Sequence, residues 1–463
     1  MVADFIAQEP PFSRKRTEFL QGVSTPRAYL ETCIAAIAHA ESDVKAFTHL
    51  DLARAREQAD AATQRYRGGR PLSAIDGMPI GVKDIIDTVD MPTRMNSEIY
   101  DGYTPMIDAP AVWAARAGGA VILGKTVTTE FAIGRPGPTA NPHDVRHTPG
   151  GSSSGSAAGV ASGMVAAAFA TQTNGSILRP AGFCGVVGYK PTIGRLSTEG
   201  VHPLSRTNDH LGVIARSVTD AWWLARWVSE IAPQKGGLGL AGPLAEDVSG
   251  VSPGRVAVLR TRGFDELDAT SLQVFDGQLE RLMKAGVSVV EPTGDSALQS
   301  VVDDLNSVRD RSLEVLAYEM QARFSQYAER YPGKLSERVL GLVEQGRHVT
   351  RNRYGELLLS REHTRRKLAA LFGGFDVLVL PSSSGPAPEG LAYTGSRTML
   401  MYASFTGLPA VSVPVMQVDS LPFGLQLIGA DGADYLLLRF AQWVGAHACD
   451  AAAAPGHGSG LAG

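Results

Sequence analysis

The stretch GGSSSGSAAGVASGMVAAAFATQTNGSILRP, residues 150 to 180, decides how the chain is read. A glycine-serine loop opens it, and SGSAAGVASG follows as a helix whose small side chains let it approach other backbone closely. MVAAAFAT then reads as a buried strand, and TQTNGS as a turn presenting Ser176 with no histidine beside it. Gly175 tolerates dihedrals closed to other residues, so the N–H groups of Thr173, Asn174, Gly175 and Ser176 can point one way. Donors so arranged would hold an oxyanion as charge develops on an attacked carbonyl oxygen. Taken alone, Asn-Gly-Ser is also simply a good turn.

Outward from this stretch the chain alternates helices and strands. PRAYLETCIAAIAHA, started by Ser24, Thr25 and Pro26, and LARAREQADAATQRYR, ended by Gly68 and Gly69, are amphipathic helices flanking a short strand AFTHLD. MPIGVKDII is an apolar strand with Lys83 inside it. Asp108 stands as the cap of DAPAVWAARAGG, which runs into the strand AVILGK, half of a βαβ unit. Residues 134 to 151 form a long loop. GRVAVL, a helix in DATSLQVFDGQLERLMKAG, and VSVVEP make another strand, helix, strand unit and imply a further parallel pair. Residues 300 to 372 are mainly helical and rich in arginine, which reads as a solvated helix face. DVLVLPS, PAVSVPV and FGLQLIG close the fold as strands before a terminal helix ADYLLLRFAQWVGAHA. No repeat or strong linker divides the chain. One α/β domain over residues 1–450 is expected, with residues 451–463 as a disordered tail.

Composition narrows the partners. Among 463 residues, 43 basic against 47 acidic side chains leave a formal net charge of -4, which argues against a nucleic-acid surface. Three scattered cysteines, Cys33, Cys184 and Cys449, suit neither a disulfide framework nor a zinc site, and a reducing cytoplasm is the expected compartment. No segment approaches about 18 uninterrupted apolar residues, so no membrane partner is expected, and no metal or cofactor. GGSSSGSAAG could cradle phosphate at a helix start, yet no Gly-Lys-Ser/Thr follows and no GxGxxG spacing occurs. Lys83, if buried beside hydroxyls, would lose charge by desolvation and become a usable base; otherwise it snorkels to solvent or pairs with Asp84.

The combination is more specific than its parts. Lys83 on an apolar strand, the Gly-Gly-Ser-Ser loop and Ser176 after a buried strand resemble the amidase signature family. DGMPIGVKDIIDT, GAVILGKTVTTEFA, CGVVGYKPTIGRLS, HLGVIARSV and TGLPAVSVP with FGLQLIG are similar to that family's pattern, from about residue 25 to 447. The resemblance implies a large mixed, mostly parallel central sheet covered by helices on both faces, with a signature core at about 75–215 and a helical segment at about 300–372. It also implies a Ser-cisSer-Lys triad hydrolysing linear amide bonds of a small substrate. Ser176 matches the nucleophile, Ser152 the bridging serine after a cis peptide bond, and Lys83 the base. Ser153 matches a serine that supports them, and residues 173 to 176 would supply the oxyanion N–H groups. A homodimer is plausible for the family.

Departures from the pattern point to the substrate. Where the family reads Thr-Asp-Thr-Gly-Gly-Ser-Ile-Arg, this chain has Gln172, Asn174, Leu178 and a displaced Arg179. The Gln-containing form is similar to the malonamidase branch, whose substrate carries a carboxylate. Arg179, with Gln172 beside it, is the expected contact for such an anionic end, the alternative being an arginine that braces the loop. Two other functions are weighed: the A-type subunit of a tRNA-dependent amidotransferase working with partner subunits, and a catalytically silent scaffold. His202, Asp209 and His210 also raise a Ser-His-Asp hydrolase. The acyl and amine groups of the substrate are not legible.

Overall fold

The computed structural model describes residues 10–234 and 237–447; Cys449 and the expected tail at 451–463 lie outside the described residues. Its frame is one sheet of eleven strands in the order β1-β3-β2-β4-β6-β5-β10-β11-β9-β7-β8. These are β1 (Phe47–Leu50), β2 (Pro79–Lys83), β3 (Val121–Thr126), β4 (Ala167–Gln172), β5 (Val187–Lys190), β6 (His210–Ala215), β7 (Arg255–Val258), β8 (Ser288–Val290), β9 (Val377–Pro381), β10 (Ala410–Val418) and β11 (Leu421–Ile428). Every residue of β2, β3, β4, β5, β6 and β9 is buried. Successive side chains of a strand point to opposite faces, so burial at every position means that both faces are covered.

The covering helices fall into groups that touch within themselves. Ser154–Ala161 packs on Leu178–Cys184, while Val218–Ile231 packs on Pro110–Ala117 and Asp434–His447; helices of both groups lie on β4, β5 and β6. The small residues of Ser154–Ala161 explain its place. Every one of its positions is buried, and a Cβ on Gly155 would stand 2.1 Å from the Ala46 carbonyl oxygen and 2.4 Å from the Val127 nitrogen. Only hydrogen fits there. The helices Ser296–Leu305, Val308–Arg330, Glu337–His348 and Arg351–Leu371 form the expected helical segment. No helix among the described residues is long and apolar enough to cross a membrane.

Two expectations need correction. The sheet is mixed, but its antiparallel pairings number six and its parallel ones four. The expected parallel pairs, β2 with β3 and β7 with β8, are present. The antiparallel excess comes from β5, β6, β10 and β11, with Asp419 and Ser420 both at positive φ in the two-residue turn between β10 and β11. That is the turn geometry matching the right-handed twist of a hairpin. Second, Asp108 does not cap the helix Pro110–Ala117, whose first flanking residue is Ala109. Its carboxylate instead accepts the Val89 N–H and pairs with Arg116.

Candidate active site

Parallel strands β2 and β4 end side by side, and the sequence-derived residues gather at their carboxyl ends, where open α/β sheets place their ligands. Lys83 is the last residue of β2 and is fully buried. Its Nζ lies 2.8 Å from Ser152 Oγ and 2.7 Å from Thr171 Oγ1 on β4. Burial pushes its pKa well below the usual lysine range, and the negative charge of Asp209 opposes that shift. The alternatives of snorkelling or pairing with Asp84 do not hold. Asp84 is salt-bridged to Lys125, 3.5 Å away.

The Gly151-Ser152 peptide bond is cis, as the resemblance implied. Ser152 is held by its carbonyl, which accepts the Thr129 N–H. Ser153 donates its hydroxyl to the Thr171 carbonyl and its N–H to the Ser176 carbonyl. It thus ties β4, the serine loop and the Ser176 turn together.

The turn itself is organised by Gln172. Its Oε1 accepts the N–H groups of Ile177 and Leu178 at 2.9 and 3.1 Å, and its Nε2 donates to Ser404 Oγ. These amides begin the helix Leu178–Cys184 and have no partner within it, so the glutamine closes residues 173 to 176 into a loop. Gln172 is therefore not at the substrate cavity, where the sequence had put it. Gly175 has φ +114°, and a Cβ there would meet Leu400 Cβ at 2.8 Å. Among the described residues no protein acceptor takes the N–H groups of residues 173 to 176. Thr173 Oγ1 donates to Asp209 at 2.6 Å, and Asp209 also accepts the Leu204 and Ser205 N–H groups. Burial nevertheless pushes the Asp209 carboxyl up to about 6.

Ser152, Thr173, Asn174 and Ser176 line one cavity. It holds about 340 Å³ of non-atom space, open solvent at its mouth included. No histidine lines it: His202 Nε2 lies 3.0 Å from the Tyr327 hydroxyl and His210 Nδ1 bonds the Asn208 carbonyl. The Ser-His-Asp reading has no geometry behind it. Among the described residues no cluster of acidic, histidine or cysteine side chains could hold a metal ion.

Arg179 does line the cavity, but its guanidinium is engaged. Nη1 donates to the Gly395 and Ser396 carbonyls, and Nη2 to the Gly151 carbonyl at 2.5 Å and Thr394 Oγ1. This is the bracing alternative, binding the cis bond to the loop that covers it. Two charged cavity residues went unseen in the sequence: Arg338, on the helix Glu337–His348, and Arg397, just before the turn Thr398–Leu400. Both lie far along the chain in arginine-rich or loop sequence, and no motif marks them. Thr171 was quoted only within the buried strand and the turn, with no role; its place two residues before Thr173, near the end of the strand beside β2, is the signal that could have found it.

A buried lysine whose pKa burial lowers, bonded to a serine that follows a cis bond, beside a second serine in a donor-rich turn, defines a class. The Amidase family model matches residues 28–438, and the chain belongs to the amidase signature family, enzymes that act on amide carbon-nitrogen bonds. Among curated relatives, the A-type subunit of the glutamyl-tRNA(Gln) amidotransferase of Anaeromyxobacter dehalogenans (strain 2CP-C) is 32% identical over 455 residues, covering 89% of this chain and 91% of its own. Among solved structures, a crystallised amidase superposes with TM-score 0.81 at 31% identity, covering 94% of this chain and 98% of its own. The native peptide amidase from Stenotrophomonas maltophilia gives TM-score 0.77 at 25% identity, covering 95% and 97%.

Proposed function

We propose that the protein hydrolyses a linear amide bond of a small substrate through an acyl-Ser176 ester. The observation that carries this reading is Lys83 Nζ, buried with its pKa lowered by that burial, 2.8 Å from Ser152 Oγ in the cavity wall that also holds Ser176. Neutral Lys83 takes the proton of Ser152 while Ser152 takes that of Ser176, and Ser176 Oγ attacks the amide carbon. The unengaged N–H groups of residues 173 to 176 receive the oxyanion. The relay then returns a proton to the nitrogen as the C–N bond breaks, and water cleaves the ester by the same route. Ammonia release from a panel of small amides tests this. Wild type should turn over at least one, and Ser176→Ala should lose about 10³-fold or more. Release unaffected by Ser176→Ala would overturn the reading.

A second reading is favoured by the curated relatives, which are named as the A-type component of a glutamyl-tRNA(Gln) amidotransferase. Here the same serine would release ammonia for use by partner subunits. Turnover by the isolated chain of amides other than glutamine favours the first reading. Glutamine-specific release that needs partner subunits favours the second.

A further inference from the structure

Resting on the hydrolytic reading, we infer that Arg338 and Arg397 recognise a carboxylate on the amide substrate, and that the substrate carries no cationic group near it. Three guanidinium groups, Arg179, Arg338 and Arg397, line the cavity that holds Ser176, and no Asp or Glu lines it. Arg179 is consumed by backbone carbonyls. No hydrogen bond or ion pair to a protein acceptor engages the side chains of Arg338 and Arg397 among the described residues. Their exposure is graded: Arg179 is buried, Arg397 half-buried and Arg338 exposed. Positive charge thus runs from the mouth inward.

The placement is unfavourable without an anion. Arg338 sits in the first turn of its helix, at the positive end of the helix dipole, where a cation is disfavoured. Burial, and then the like charge of its neighbours, pushes Arg397 down to about 9 and Arg179 to about 10, so both stay protonated at neutral pH. A carboxylate would relieve all three charges at once, and two guanidinium groups offer it paired donors.

The remaining polar groups agree. Asn208 Nδ2 donates to Ser312 Oγ, and Ser312 donates onward to Asn174 Oδ1; the buried Asn174 Nδ2 has no partner, and neither has Arg179 Nε. Both of these unsatisfied atoms are donors on residues that line the cavity. Free glutamine has an α-ammonium, which would meet three cations and no carboxylate there. An amide with a carboxylate and no amine suits the site better.

The test compares succinamate, butyramide and glutamine as substrates of wild type, Arg338→Ala, Arg397→Ala and the double variant. Wild type should prefer succinamate, and each substitution should lower the succinamate-to-butyramide ratio of kcat/KM by about 100-fold, mainly through KM. A wild type that prefers butyramide or glutamine, or variants that lose both amides equally, would overturn the inference. Thermal unfolding of Ser176→Ala with succinate, against sulfate at equal ionic strength, reads recognition without turnover. Succinate should raise Tm more than sulfate, and Arg397→Ala should abolish the difference. Succinate protection without hydrolysis of any amide would sink the hydrolytic reading and keep the anion site; hydrolysis without preference or protection would do the reverse.

Discussion

The region around the helix Ser154–Ala161 and the helical segment from residue 296 to 371 meet at one cavity but are built on opposite principles. In the first, glycine, alanine and serine bring backbones into contact: Gly155 donates its N–H to the Val127 carbonyl, and Ser156 is bonded to Thr126 and to the Phe169 carbonyl. The second carries solvated charge, with ion pairs such as Arg353 with Glu314 and Arg366 with Glu362. Yet it sends Ser312 to Asn174 and Arg338 to the cavity. The difference teaches a division of labour. Close backbone approach fixes the serines and the lysine, and the looser cover brings side chains to the same cavity.

Substitutions can break this contrast, beginning with the largest effect. Lys83→Met keeps the buried volume and removes the base, so kcat/KM for any amide should fall by about 10³-fold or more with a native-like unfolding transition. Retained turnover would place the chemistry elsewhere. Gly155→Ala should destabilise the fold by about 3 kcal/mol, since its Cβ would collide with rigid backbone. Gly341→Ala, on the helix that carries Arg338, has open space around it and should stabilise by about 0.5–1 kcal/mol. Urea unfolding of the two variants reads both numbers, and equal effects would erase the contrast.

Two smaller effects sharpen it. Asp209 raises the Lys83 pKa by its charge, and Lys83 must be neutral to take a proton. Removing that charge in Asp209→Asn lowers the Lys83 pKa further, so the acid limb of the kcat/KM profile should move to lower pH. A shift to higher pH would contradict the electrostatic coupling. Ser312→Ala removes the donor to Asn174 from the helical cover and leaves two buried asparagine side chains short of a partner, so it should lower stability by about 1 kcal/mol in urea unfolding and weaken turnover a few-fold.

Much of this was legible in the sequence because the core depends on local necessity. The helix of small residues and the buried strands follow from residue types that tolerate no substitute for their size, while the grouping of Lys83, Ser152 and Ser176 was legible through the resemblance to the amidase signature family. The Asp419-Ser420 hairpin was not legible, since neither residue is a glycine and positive φ there is imposed by the strands it joins. Gln172 looked like a polar residue near a substrate; it is a bridge to amides five and six residues ahead, a contact visible only once the turn is folded. Arg338 and Arg397 could not be told from the solvated arginines around them. Their meaning comes from tertiary convergence, far along the chain from the serine they approach.

Acylation of Ser176 is the step on which the proposed reading depends. Rapid acid quench of wild type during turnover of an amide substrate, followed by peptide mapping by mass spectrometry, reads that event directly. An acyl mass on the peptide containing Ser176, absent from Ser176→Ala, is the result predicted. Turnover at full rate with the acyl mass on another residue would contradict it.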